Sequence, residues 1–329
     1  AQPEVLLDPN QFSENGTVAL HSVKLSKGGK YLAYSISRNG TDFEEVYVID
    51  LSTRKLLDDH VKWVKFSGIS WNGDEGFYYS RYPEPKNDFD KAPLENKKSF
   101  YHKVGTSTKD DSLVFENQKD PKAHFNVGTT EDNKHLILSQ HKGSGSGNSL
   151  HIKDLTQKDS NFRPIFPEIS NGESHSVVAS QGSTIFIHTN QNAPRNKVVS
   201  YNLAADKGKE WTTIIPEQDD ILCDAFLVEN KLLLTYMHNV CSKLKVCSLS
   251  GEEENIIDLP TLGEASGFGG KSDDKEIYFN FESFAYPPTI FKYTVATKEL
   301  SVYKKSAAKF DGSQFKTEQI FYTSFDGTK

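Results

Sequence analysis

Methionine is almost missing: Met237 is the only one in 329 residues, and cysteine is confined to Cys223, Cys241 and Cys247. An odd trio does not make a disulfide framework. The six-residue step from Cys241 to Cys247 fits no usual zinc spacing and straddles a predicted strand. These thiols therefore read as free and at least half-buried, with a disulfide or a metal site as the alternatives. No run of about 18 apolar residues is present, which excludes a spanning helix. Basic excess is also lacking: 38 Lys and Arg face 45 Asp and Glu, a net charge of −7. A duplex nucleic-acid partner, which demands a phosphate-neutralising face, is disfavoured. No stretch carries helical periodicity over a convincing length. Hydrophobic residues are only 36% while aromatics reach 12%, and 22 Gly and 13 Pro supply turns. That balance suits thin sheets covered by Phe and Tyr, and the fold class read from it is all-β. The chain starts at Ala1 without a signal peptide or a Met, so the start leaves the compartment, cytoplasmic or periplasmic, open.

What is there is repetition. Residues 23–57, VKLSKGGKYLAYSISRNGTDFEEVYVIDLSTRKLL, read as strand, Gly-Gly turn, strand, Asn-Gly loop, strand, short turn, strand. Four short antiparallel strands in about 45 residues is the size of one propeller blade. The second strand of the unit recurs as YLAYS at 31–35, FYYS at 77–80, HLILS at 135–139, TIFIH at 184–188, KLLLTY at 231–236 and EIYFNF at 276–281. Third strands ending in polar turns follow most of them (VYVIDLST, SLHIKDLT, KVVSYNLA, KLKVCSLS, TIFKYTVAT), and fourth strands stand at 162–167, 211–216, 256–260 and 300–304. The period is about 45–60 residues, and six full units are counted. One continuous array accounts for the length better than two unrelated domains.

The departures from the period are as informative. EVLLDP at 4–9 reads as a lone strand like the fourth strand of a blade. The last unit already has four strands of its own, so this segment is expected to be the remnant of a seventh blade, leaving a ring unclosed by velcro. RYPEPKNDFDKAPLENKK at 81–98 is far longer than the matching turns and, with Pro83, Pro85 and Pro93, describes an exposed insertion, either a solvated loop without a role or a flap at the rim. GSGSG at 143–147 fails both the phosphate-loop and the nucleophile-elbow patterns, since Gly145 stands where a nucleophile is required, and reads as a flexible turn. The final KTEQIFYTSFDGTK repeats nothing: 317–324 alternates as a strand would, and Asp326-Gly327 marks a turn.

No catalytic machinery is legible. The ten His fall in no HExxH and beside no Cys at ligand spacing, and no carboxylate pair is singled out. SWNGDEG at 70–76 lacks the Asp-box pattern of sialidase-type propellers, and the Gly-His and Trp-Asp signatures of WD repeats are absent. By itself the chain is not expected to be a catalyst and needs no cofactor; a propeller that binds protein partners without catalysis is the competing class.

LLDPN at 6–10, GTVAL at 16–20, LAYSIS at 32–37, VKFSGISW at 64–71, FYYSRY at 77–82, SGFGG at 266–270, PPTIFKY at 287–293 and QIFYTSFDGTK at 319–329 resemble, in order and across nearly the whole chain, the prolyl oligopeptidase family of serine peptidases. The resemblance implies a propeller over residues 1–310, of seven-bladed type with six full blades plus a strand of another. It implies that 311–329 is a linker and the first strand of an α/β-hydrolase domain, the partner of the propeller. The family's nucleophile lies in a Gly-Gly-Ser-Asn-Gly-Gly elbow that this sequence does not contain, so the chain alone should be inactive while the whole protein hydrolyses short peptides after proline. The propeller's implied role is to exclude folded proteins and pass short proline-containing peptides.

The same resemblance implies a few substrate-pocket residues. Phe66, in VKFSGISW, matches a phenylalanine that lines the pocket; membership of the blade core is its other reading. His124 falls near a pocket methionine, His141 near a pocket arginine and Ser144 near a pocket cysteine, so these three depart from the family's residue types. Residues 81–98 match a mobile interdomain loop, in a different sequence. With an open ring, edge strands are expected at the gap, together with association across it and apolar surface on the hydrolase-facing side.

Overall fold

The computed structural model describes residues 4–85, 94–143, 145–170, 172–205 and 211–328. Among these residues the chain forms six antiparallel four-stranded meanders and no α-helix. They divide between two compact units, Ala1–Ser174 and His175–Lys329.

In the first unit, β1 (Val18–Leu25), β2 (Tyr31–Arg38), β3 (Glu44–Asp50) and β4 (Lys55–Val64) make one meander. The next comprises β5 (Ser70–Asn72), β6 (Gly76–Arg81), β7 (Lys98–Lys103) and β8 (Ser112–Glu116), joined to the first by a single ladder pair, Val64 with Arg81. The third contains β9 (His124–Thr129), β10 (His135–His141), β11 (Asn148–Asp154) and β12 (Arg163–Phe166). In the second unit, β13 (His175–Gln181), β14 (Thr184–Thr189), β15 (Lys197–Asn202) and β16 (Trp211–Ile215) make the fourth meander. The fifth has β17 (Ile221–Val228), β18 (Lys231–His238), β19 (Cys241–Ser248) and β20 (Glu253–Ile257), and the sixth β21 (Glu264–Gly269), β22 (Glu276–Ser283), β23 (Tyr286–Thr294) and β24 (Glu299–Lys305). The all-β class and the six repeating units read from the sequence are what the chain builds.

Within each unit, consecutive meanders pack face to face, as the core shows. Val46, Val48 and Val61 of the first meander bury against Trp71, Phe77 and Tyr79 of the second. Tyr78 of the second packs with Phe125, Leu136 and Leu138 of the third. In the second unit, Leu233 and Val246 meet Phe279, Phe281 and Phe291. A second strand is therefore covered on both faces, so β2, β6 and β18 are buried nearly end to end. That is why YLAYSIS and KLLLTY are almost continuous apolar runs instead of alternating ones. First and second strands carry a register shift at matching places, between Leu20 and Ser22, Val177 and Ala179, and Leu222 and Asp224. A bulge repeated in this way increases the local twist of each meander.

Two terminal expectations differ from the structure. Residues 4–8 pair with no strand; Asp8 instead caps a 3₁₀ turn, Pro9–Gln11, by accepting from Asn10 N at 3.0 Å, and Leu7 packs on the outer face of the first meander. A strand is defined by its ladder, and this segment has no partner among the described residues. Likewise 315–324 carries no strand, although the Asp326-Gly327 turn forms, with Gly327 at φ +85° and Ser324 N donating to Thr328 O at 2.7 Å. No helix among the described residues is long and apolar enough to cross a membrane.

Candidate functional site

β4 ends at Val64, and the chain then has to turn into β5 within five residues. It does so through two aromatic residues in the left-handed region, Trp63 at φ +63° and Phe66 at φ +50°. Bulky side chains adopt that conformation only when surrounding contacts over-determine it. The turn leaves the Phe66 ring half-exposed (51%), outside the blade core that was its alternative reading.

The structure brings three of the four sequence-designated residues together. Phe66 meets the His124 ring edge-to-face, with centroids 6.3 Å apart. His124 and His141 are a directly opposed pair at the ends of β9 and β10. His141 Nε2 lies 3.2 Å from Ser139 Oγ, which also accepts from Asn148 Nδ2 at 2.9 Å. Burial holds the His141 imidazole below its ordinary pKa, opposed by the hydrogen bond it donates to the Gly147 backbone carbonyl and reinforced by the electrostatic influence of His124 and Lys97. Ser144 lies outside the described residues. On the other side of Phe66, the Lys65 ammonium sits 5.1 Å from the ring centroid while pairing with Asp42 at 3.2 Å.

Sequence reading missed the cation that supports this cluster. Lys97, at the end of the long insertion, is only 2% exposed. Its Nζ donates to the Phe66 carbonyl at 2.7 Å and lies 5.7 Å from the Phe125 ring centroid. No carboxylate pairs with it among the described residues. Burial alone pushes its pKa down to about 8. With its amide turned to suit its neighbours, Asn126 Nδ2 is a second donor to Phe66 O, at 2.9 Å. In sequence, Lys97 is one of two adjacent lysines before a strand and looks like solvated charge; no local pattern marks it.

The arrangement has the chemistry of a recognition surface: an accessible aromatic face, two imidazoles and a buried ammonium. Among the described residues no group of three or more His, Cys, Asp or Glu is placed to hold a metal ion. In the second unit a cleft of about 630 Å³ is lined by Tyr286, Pro287, Phe310 and Phe315, among others. Beyond it Ile320, Phe321, Tyr322 and Phe325 are exposed, Phe325 completely. Such a concentration of bare aromatics is typical of a surface that another domain covers.

Comparison with known proteins gives this geometry a context. Residues 1–306 match the family model described as the prolyl oligopeptidase N-terminal β-propeller domain. The chain is 39% identical over 327 residues to the prolyl endopeptidase of Elizabethkingia meningoseptica, covering 99% of this chain and 46% of that protein. It is 30% identical over 352 residues to prolyl oligopeptidase A of Amanita bisporigera, again covering 99% and 46%. Among solved structures it is similar to prolyl oligopeptidase B from Galerina marginata bound to a 25mer macrocyclization substrate, with a TM-score of 0.89 at 29% identity over 98% of this chain and 47% of that one. The chain thus spans about half the length of the relatives it matches. On the match across nearly its whole length, the chain belongs to the prolyl oligopeptidase N-terminal β-propeller family.

Proposed function

We propose that this chain is the substrate-gating propeller part of a prolyl endopeptidase, a serine peptidase that cleaves short peptides after proline. The observation that carries the reading is the 39% identity to a bacterial prolyl endopeptidase over 99% of the chain. In this reading residues 1–310 are the propeller, and 311–329 lead into an α/β-hydrolase domain and supply its first strand. That domain provides the serine that attacks the carbonyl, the histidine that shuttles the proton and the oxyanion hole. The propeller contributes exclusion of folded proteins and a recognition surface centred on Phe66, with His124 and His141 beside it; Ser144 belongs to this reading by sequence alone. Its partners are its own hydrolase domain, whose fold takes in the exposed aromatics of 315–325, and short proline-containing peptides. Either a cytoplasmic or a periplasmic setting suits this role.

The test is a chimera in which this chain replaces the region it matches in the Elizabethkingia meningoseptica enzyme, assayed on a chromogenic Gly-Pro substrate. Activity in the folded chimera and none in the chain alone is the expected result. A folded chimera without activity, or hydrolysis by the chain alone, contradicts the proposal.

A further inference from the structure

The backbone at Phe66 is held from the stem of the long insertion, through Lys97, as well as from β9, through Asn126. The segment Trp63–Phe66 has both ends in the left-handed region, a conformation costly for aromatic residues. Each end is tied to one stem of the insertion that begins after β6. The N-terminal stem supplies the Tyr82 main-chain N–H, which donates to Trp63 O at 3.1 Å. The C-terminal stem supplies Lys97, whose ammonium donates to Phe66 O at 2.7 Å, and is itself pinned by Asn96 N donating to Pro121 O at 2.7 Å. Lys97 is nine-tenths buried or more and has no carboxylate partner among the described residues, an arrangement that costs folding free energy. A neutral side chain of similar length would fill the same space more cheaply. Among the described residues the ammonium donates a hydrogen bond to one acceptor, the carbonyl of the residue that presents its ring to solvent.

We infer that Lys97 is a positioning residue for peptide recognition: it couples the chain stem at 94–97 to Phe66 and fixes the angle at which the Phe66 ring meets an incoming peptide. This rests on the reading of Phe66 as a substrate contact, and it adds the element that sets Phe66 in place. The geometry also assigns the stem at 94–97 a task of its own, since it reaches the recognition surface through one side chain.

The experiment has a spectroscopic arm and a kinetic arm. In the 329-residue chain with ¹³C-labelled Phe, the Phe66 ring resonances are identified by their loss in Phe66→Leu. Lys97→Met is expected to move them towards random-coil positions, because the ring leaves His124, while the melting temperature rises on removal of the buried charge. In the chimera, Phe66→Ala is expected to raise KM for a proline-containing hexapeptide about tenfold. Lys97→Met should raise it about fivefold with kcat unchanged, and Lys97→Gln, which keeps a donor, should fall between. Adding Lys97→Met to Phe66→Ala should change KM by less than about twofold, because the two act as one unit. Unchanged KM in Lys97→Met beside a raised KM in Phe66→Ala overturns the coupling. So does an equal Lys97→Met effect in the Phe66→Ala background. Unchanged KM in Phe66→Ala removes the substrate-contact reading itself and the inference with it, a distinguishable outcome. Should Lys97→Met not fold, Lys97→Gln carries the same comparisons.

Discussion

His102 shows how a single side chain can tie two meanders together. It is fully buried on β7, with Nδ1 2.7 Å from Asp111 Oδ1 and Nε2 2.9 Å from Asp59 Oδ1 on β4. Tyr79 donates to the other oxygen of Asp111 at 2.6 Å, and Gly105 N donates to Asp59 at 2.6 Å. Burial by itself would lower the imidazole pKa; the hydrogen bonds and charges of Asp111 and Asp59 outweigh it and raise it to about 9. A folded-state pKa above the unfolded value of 6.5 stabilises the fold fully below about pH 6.5, and that stabilisation is lost as pH climbs through 9. The span corresponds to about 3 kcal/mol. His102→Gln, which strands two buried carboxylates, should cost roughly 3–5 kcal/mol at pH 6 by chemical denaturation. The gap to the unmodified chain should shrink towards pH 9.5, and a gap constant across that range refutes the ionised bridge. The comparison must be a difference, because Lys97 runs oppositely: its folded pKa near 8 lies below 10.5, so stability rises with pH between them. At this scale the sequence was legible where a side chain sits in a recognisable string, as Phe66 does in VKFSGISW. It was silent on Lys97, whose partner Phe66 lies 31 residues away, and on the link of His102 to Asp59, 43 residues away. Only tertiary packing joins them.

Elements were legible in proportion to their burial. The second strands carry the densest apolar runs or apolar alternation of each unit, and all six stand where the repeats put them. Edges and termini carry no such signal, and the expected strands at 4–9 and 317–324 lack ladder partners among the described residues. Turn chemistry was partly visible: Asn39-Gly40 announces its hairpin, and both residues have positive φ. Asn239-Val240 does the same work with a β-branched residue at φ +66° that is 83% exposed. Val240→Gly should therefore stabilise the β18–β19 hairpin by about 1 kcal/mol, measurable as a shift in the denaturation midpoint; a lower midpoint would show that the valine contributes more than its backbone strain costs. In GSGSG, read as a merely flexible turn, the last glycine is required by close approach. A Cβ on Gly147 would lie 1.9 Å from the Ser170 carbonyl oxygen. Gly147→Ala should cost roughly 2 kcal/mol. Loss of less than a few tenths would mean that the 147–170 contact yields freely.

For the whole molecule, repetition of one four-stranded unit explains a low apolar content, since each thin meander needs only enough Phe, Tyr and Val to cover two faces. It also explains why function is so faint in the chain. The proposed recognition surface, assembled from a turn after β4, a lysine just before β7 and the ends of β9 and β10, leaves no compact motif, whereas a nucleophile elbow would. The central claim is gating, and size selectivity tests it most directly. The measurement is the ratio of kcat/KM for a proline-containing hexapeptide to that for a folded proline-containing protein in the chimera carrying this chain. A ratio of at least about a thousand, with the peptide cleaved and the folded protein spared, is the predicted result; comparable cleavage of both would contradict it.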